Sequence, residues 1–244
     1  MNFLDIVTEE KRKYAAQAKK KRSLIKAIES AKKRGNNPVI SEIKRKSPSQ
    51  GKIMDVDIVE TAKIMESAGA CAISFLTDEK YFGGSISELP AVREAVSVPV
   101  LRKDFIVDEF QVYEAFVFGA DAVLLMANIL KENLPVFVEL VHKLGMEALV
   151  EIHDTDDLKF ALNSDARLLG VNNRNLEDLT IDLNNVRQLS KHIPEGKIVV
   201  SESGVNSQED LNFVLKYADA ALIGTGIMKS GDIGGIIREF VYGV

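Results

Sequence analysis

The sequence contains no tryptophan, one cysteine and three histidines in 244 residues. Each shortage closes off a class of protein. Cys71 has no partner for an internal disulfide, and within "CAISFL" it reads as a small core residue rather than a reactive thiol. His142, His153 and His192 lack the spacing of metal ligands, so no metal site is expected. There is no run of about 18 apolar residues, and "MNFLDIVTEEKRKYAAQAKKKR" has no apolar stretch long enough for a secretory leader. A cytoplasmic chain with no membrane partner is the expectation. The net charge of -5 argues against general nucleic-acid binding. The locally basic "KRKYAAQAKKKRSLIKAIESAKKR" sets lysines among Ala, Leu and Ile with no aromatic ladder for stacking bases, and reads as amphipathic helix.

What the chain does have is the balance of a globular protein, 46% apolar and 27% charged, arranged in a repeated form. Eight short apolar runs, "PVISEIK", "CAISFLT", "PVLRKD", "DAVLLMA", "EALVEIH", "RLLGVNN", "KIVVSES" and "AALIGTG", alternate with segments of helical periodicity such as "DIVETAKIMESAGA" and "KENLPVFVELVHKLG". Strands alternating with helices imply parallel pairing through right-handed crossovers. Eight such units predict an α/β fold of the (β/α)8 TIM-barrel type, a single domain over 1–244 whose residues 1–37 form an N-terminal helical extension. An open doubly wound sheet fits less well, because no G-x-G-x-x-G turn follows the first strand. Glycines in "AGACA", "FGADAV" and "LGMEAL" mark helix ends just before a strand.

In a barrel, function collects where strands end. Strand 1 ends in Glu42 and Lys44, two opposite charges in what begins as a buried run; strand 3 ends in Lys103, strand 5 in Glu151, strand 6 in Asn172, and strand 7 in Glu202 and Ser203. Two lysines and three carboxylates at one mouth are the makings of an acid and a base whose pKa values depend on their neighbours. "SESGV" after strand 7 and "IGTGIM" after strand 8 place Ser203, Gly204, Gly224 and Thr225 where backbone N–H groups can hold a phosphate. The loops "RKSPSQGKI" and "TDEKYFGGS" can close over an anionic substrate, with Phe82 and Phe105 offering faces to an aromatic ring.

"SEIKRKSPS", "FLTDEKYFGG", "VLRKDFIVDEFQVYEA", "LVEIH", "GVNNRNL", "SESGV" and "IGTGIM" together resemble the indole-3-glycerol phosphate synthase family. The resemblance covers nearly the whole chain. It implies a cofactor-free lyase acting on a small sugar phosphate; a monomer or weak homo-oligomer with no metal is the expectation. It implies catalytic positions at Glu42, Lys44, Lys103, Glu151, Asn172, Glu202 and Ser203, with Lys103 as general acid, Lys44 beside the substrate carboxylate and Glu151 or Glu42 moving protons. Ser47, Pro48, Phe82, Phe105, Leu124, Arg174, Leu176 and Ile223 resemble the family's pocket lining, and Ser203, Gly204, Gly224 and Thr225 its phosphate cradle. Asn175 stands where the family usually has Asp, and Ser201 where Ala is common. The first bears on how the loop after strand 6 is held, and the second on packing beneath Glu202. A phosphoribosylanthranilate isomerase would call for a Cys and Asp pair, whereas strand 1 here carries Glu and Lys. A catalytically silent sugar-phosphate-binding barrel would have lost its charged strand ends.

Overall fold

The computed structural model describes residues 21–47 and 51–243, with the backbone alone at Ser47 and Lys52. Eight parallel strands close into a barrel: β1 (Val39–Ile43), β2 (Ala72–Leu76), β3 (Val100–Lys103), β4 (Ala122–Met126), β5 (Glu147–Ile152), β6 (Leu168–Asn172), β7 (Ile198–Glu202) and β8 (Ala220–Ile223). Each strand pairs with its neighbour in sequence, and β8 returns to β1 through Val39↔Ala221 and Ile40↔Leu222. The expected fold is therefore the observed one.

Alternation along the strands sorts the core into two bodies. Ile40, Leu101, Leu149, Leu168, Val200 and Leu222 point into the barrel, while Val39, Ile43, Ile73, Val123, Val150 and Val171 pack outward against the helices. Gly69, Gly119 and Gly145 carry φ of 107°, 92° and 76° just past their helices, so the glycine stops read from sequence are left-handed turns into the next strand. Cys71 belongs to the inner body, and burial pushes its thiol up to about 12. That keeps it protonated and inert.

The described part of the N-terminal arm includes the helix Leu24–Lys33, started by Ser23, whose side chain accepts from Lys26 N. Leu24, Ile25, Ile28 and Ala31 recur at helical spacing and join the inner core, so this helix closes the end of the barrel where the strands begin. Polar contacts fix it there. Ser23 Oγ and Ile25 N donate to the two oxygens of Glu147 at the start of β5 (2.6 and 3.0 Å), and Arg22 N donates to Asp121 just before β4 (2.8 Å). Lys32 pairs with Asp219 just before β8. Residues 1–20 of the extension lie outside the described residues. The opposite end, where β1 to β8 finish, is left open by the described residues, and it is there that the charged residues gather.

Candidate active site

β1 places Glu42 inward, 2% exposed at the top of the barrel, and ends at Ile43; Lys44 follows and bends back so that its Nζ lies 2.7 Å from Glu42 Oε1. Gly224, at the end of β8, leaves room for this carboxylate, since a Cβ there would strike Glu42 Oε1. Across the mouth, β3 delivers Lys103 between two carboxylates, 2.9 Å from Glu151 Oε2 on β5 and 2.8 Å from Glu202 Oε2 on β7. Asn172 at the end of β6 donates Nδ2 to Glu151 Oε1 (2.9 Å) and accepts at Oδ1 from the Arg174 backbone (3.0 Å). Ser74 on β2 reaches toward Glu42 Oε2 at 3.5 Å.

Burial of these charges is costly unless they neutralise one another. Burial alone would discharge Lys103, yet Glu151, Glu202 and Glu42 outweigh it and hold the ammonium protonated far above the ordinary lysine range. Burial likewise resists ionisation of Glu151, but Lys103, His153 and Asn172 prevail and hold its carboxyl well below the usual carboxylate range. Glu202 goes the other way. Burial raises it, Lys103 pulls it down, and the Glu151 charge adds to the rise, which leaves it at about 7. Two carboxylates sharing one lysine are thus driven apart: one is ionised at neutral pH while the other retains a titrating proton.

A cavity of about 830 Å³ opens over this cluster. Glu42, Lys44, Lys103, Glu151, Asn172, Glu202 and Ser203 all line it, as do Phe82, Phe105, Leu124, Arg174, Leu176 and Ile223. The Phe82 and Phe105 rings stand 6.2 Å apart, tilted by 36°, on one side of the opening. Gly204, Gly224 and Thr225 line another part. Ser203 and Gly204 are consecutive left-handed residues, with φ of 65° and 95°, that turn the chain at the end of β7. β7 pairs with β8 through Glu202↔Leu222, so this turn lies beside the turn Gly224–Thr225 that opens the short helix Thr225–Met228. Pro48 lies outside the described residues, as does the side chain of Ser47; the backbone of Lys46–Ser47 pairs antiparallel with Gly51–Lys52.

One expectation needs correction and one is made specific. Ser201 does not pack beneath Glu202: strand alternation turns it to the outer face, where its Oγ accepts from Asn173 Nδ2 (2.9 Å). Asn175 replaces the usual Asp without loosening the loop after β6, because its Oδ1 accepts from Glu177 N (2.8 Å) and its own N–H donates to Thr180 O (2.9 Å). An amide oxygen makes that turn as well as a carboxylate.

Sequence reading passed over some residues that the fold brings in. Tyr81, Lys229 and Ser230 also line the cavity, carried by the loop after β2 and the end of the helix Thr225–Met228. His153, dismissed as a metal ligand, stands two residues beyond Glu151 and just past the end of β5, with its Nε2 3.2 Å from Glu151 Oε1. The "EIH" spacing held the signal, since residues two apart on a strand share a face.

A closed parallel barrel whose mouth interleaves half-buried lysines with buried carboxylates beside paired glycine turns defines an acid–base enzyme of the (β/α)8 class. Residues 4–240 match the family described as indole-3-glycerol phosphate synthase. The chain is 45% identical over 241 residues to the indole-3-glycerol phosphate synthase of Methanocaldococcus jannaschii, a match covering 98% of this chain and 87% of the relative. It is 48% identical over 195 residues to that of Sulfurisphaera tokodaii, covering 79% of each. The chain belongs to the indole-3-glycerol phosphate synthase family. Among solved structures, 3-hexulose-6-phosphate synthase from Salmonella typhimurium superposes with a TM-score of 0.67 at 14% identity, over 83% of this chain and 96% of the other. Thiamine phosphate pyrophosphorylase from Pyrococcus furiosus gives 0.61 at 18%, over 84% and 93%. At such identities the shared property is the barrel.

Proposed function

We propose that the open end of this barrel converts 1-(2-carboxyphenylamino)-1-deoxyribulose 5-phosphate to indole-3-glycerol phosphate, carbon dioxide and water, as a carboxy-lyase of tryptophan biosynthesis working in the cytoplasm. The observation that carries the reading is Lys103, a protonated amine fixed between Glu151 and Glu202 at the floor of a cavity that also presents two phenyl rings and two glycine turns.

The substrate has an aromatic carboxylate at one end and a phosphate at the other. In the proposed pose the phosphate sits on the backbone of Ser203–Gly204 and Gly224–Thr225, and the aryl ring lies against Phe82 and Phe105. Lys44 meets the aryl carboxylate, holding the carbon that bears it close to the ribulose carbonyl. Lys103 gives its proton to the carbonyl oxygen as that aryl carbon attacks, and a carbon–carbon bond closes the five-membered ring. The carboxylate then leaves as carbon dioxide, its bonding electrons restoring the aromatic ring. Loss of the new hydroxyl as water, with removal of a proton from the neighbouring CH2, completes the pyrrole. Glu151, ionised, and Glu42 are suited to take and return protons in this last stage. Asn172 and Glu202 hold Glu151 and Lys103 in register and reach the sugar hydroxyls.

Incubating the purified chain with the carboxyphenylamino substrate should produce indole fluorescence in step with consumption of the substrate. No fluorescence at micromolar enzyme would overturn the reading.

A further inference from the structure

Glu151 is held from three sides, and only two of them belong to the cavity. Lys103 takes Oε2 and Asn172 takes Oε1, while His153 stands behind the carboxylate, outside the cavity lining, with Nε2 3.2 Å from Oε1. That contact lacks the alignment of a hydrogen bond, so Nε2 is buried with a charge facing it and no better partner. The ring cannot turn away freely. Its Nδ1 lies 3.1 Å from Asp157 Oδ2, the same oxygen that accepts from the His153 backbone N–H at 2.9 Å. Asp157 is itself set by Asp154, whose side chain accepts from Asp157 N at the start of the helix Thr155–Leu162. From the first turn of the helix Asn184–Leu189, Asn185 Nδ2 donates to both His153 O and Asn172 O, tying the two supports of Glu151 to one amide.

We propose that His153 is a positioning residue for the reaction, a ring that Asp157 fixes behind Glu151 to hold that carboxylate toward Lys103. It lies outside the cavity lining and acts through Glu151 alone. The charged groups around it are few. Glu151 and Asp157 face it from β5 and the following helix, and Lys103 and Glu202 lie beyond Glu151 from β3 and β7. Asn172 and Asn185 do not titrate, nor does any residue of the helical turn Ala127–Leu130 packed on β5; Lys131 and Glu132 beyond it are exposed. Burial disfavours a charged ring here, and the two carboxylates outweigh it, raising His153 to about 9. The ring therefore keeps its proton well above the ordinary histidine value.

The inference rests on the synthase reading, and two measurements separate them. In the substrate-free protein, NMR of the three histidine rings from pH 5 to 10, with His153 assigned through its loss in His153→Gln, should show His153 protonated past pH 8. Asp157→Asn should lower that midpoint by about one unit or more. In turnover, His153→Gln should reduce kcat roughly tenfold, with KM changed less than about twofold. A His153 ring titrating near its ordinary 6.5, or a kcat that His153→Gln leaves in place, would overturn the proposal. Native protein without turnover would sink the synthase reading alone, because the ring titration is read on the free protein and still decides the contact.

Discussion

Gly170 on β6 lies against the carboxylate of Glu202 on β7, so close that a Cβ at residue 170 would run into Glu202 Oε1. The obstacle is the end of a side chain rather than backbone, so Gly170→Ala should leave the barrel folded and displace the carboxylate from Lys103. Turnover should fall by about a hundredfold, the scale of misplacing a catalytic group by roughly an ångström. Circular dichroism alongside steady-state assay checks this; normal turnover would show that the Glu202–Lys103 contact is dispensable.

Lys103→Ala should lower turnover at least roughly a hundredfold, the scale of a lost general acid. It should also destabilise the protein by about 3 kcal/mol or more, because Glu151 and Glu202 are left buried without their cation. Denaturant titration measures the second effect. Near-normal turnover would remove Lys103 from its assigned role.

Glu202 holds its proton to about pH 7 in the folded chain, against 4.5 as its ordinary value. The stability it contributes is complete below pH 4.5 and is lost as pH rises through 7. The melting temperature of the native protein, relative to that of Glu202→Gln, should therefore decline across that window. A constant difference would mean that another group carries the proton.

Ile28 fills the closed end of the barrel, 1% exposed, and has no part in the chemistry at the other. Ile28→Ala should cost about 2–5 kcal/mol of stability by chemical denaturation and leave kcat within about twofold. A large loss of turnover in a folded variant would link the two ends in a way the packing does not explain.

Strand existence, strand order and the polar strand ends were all legible in the sequence, because a barrel strand that should be apolar advertises each charge it carries. Glu42 and Lys103 are visible for that reason. The direction of a side chain at a strand end was harder. Ser201 was expected beneath Glu202 and lies on the outer face, since proximity in sequence says little when adjacent residues point opposite ways. His153 escaped notice because its meaning depends on Asp157, which reaches it only once the helix Thr155–Leu162 has formed. The arm was readable as an amphipathic helix, but not as a closure. Its apolar stripe fits any apolar surface, and the choice of barrel end rests on Glu147, Asp121 and Asp219, spread over nearly a hundred residues.

With the helix Leu24–Lys33 seated under the strands and the interior filled by side chains, the barrel formed by the described residues has a floor and one door. On the proposed reading, carbon dioxide and water released beside Lys103 would leave by the way the substrate came in, past Phe82 and Phe105. The same rings that would press the aryl group toward the carbonyl therefore stand in the path of everything the reaction sheds, and tighter packing there would hasten the encounter while delaying departure.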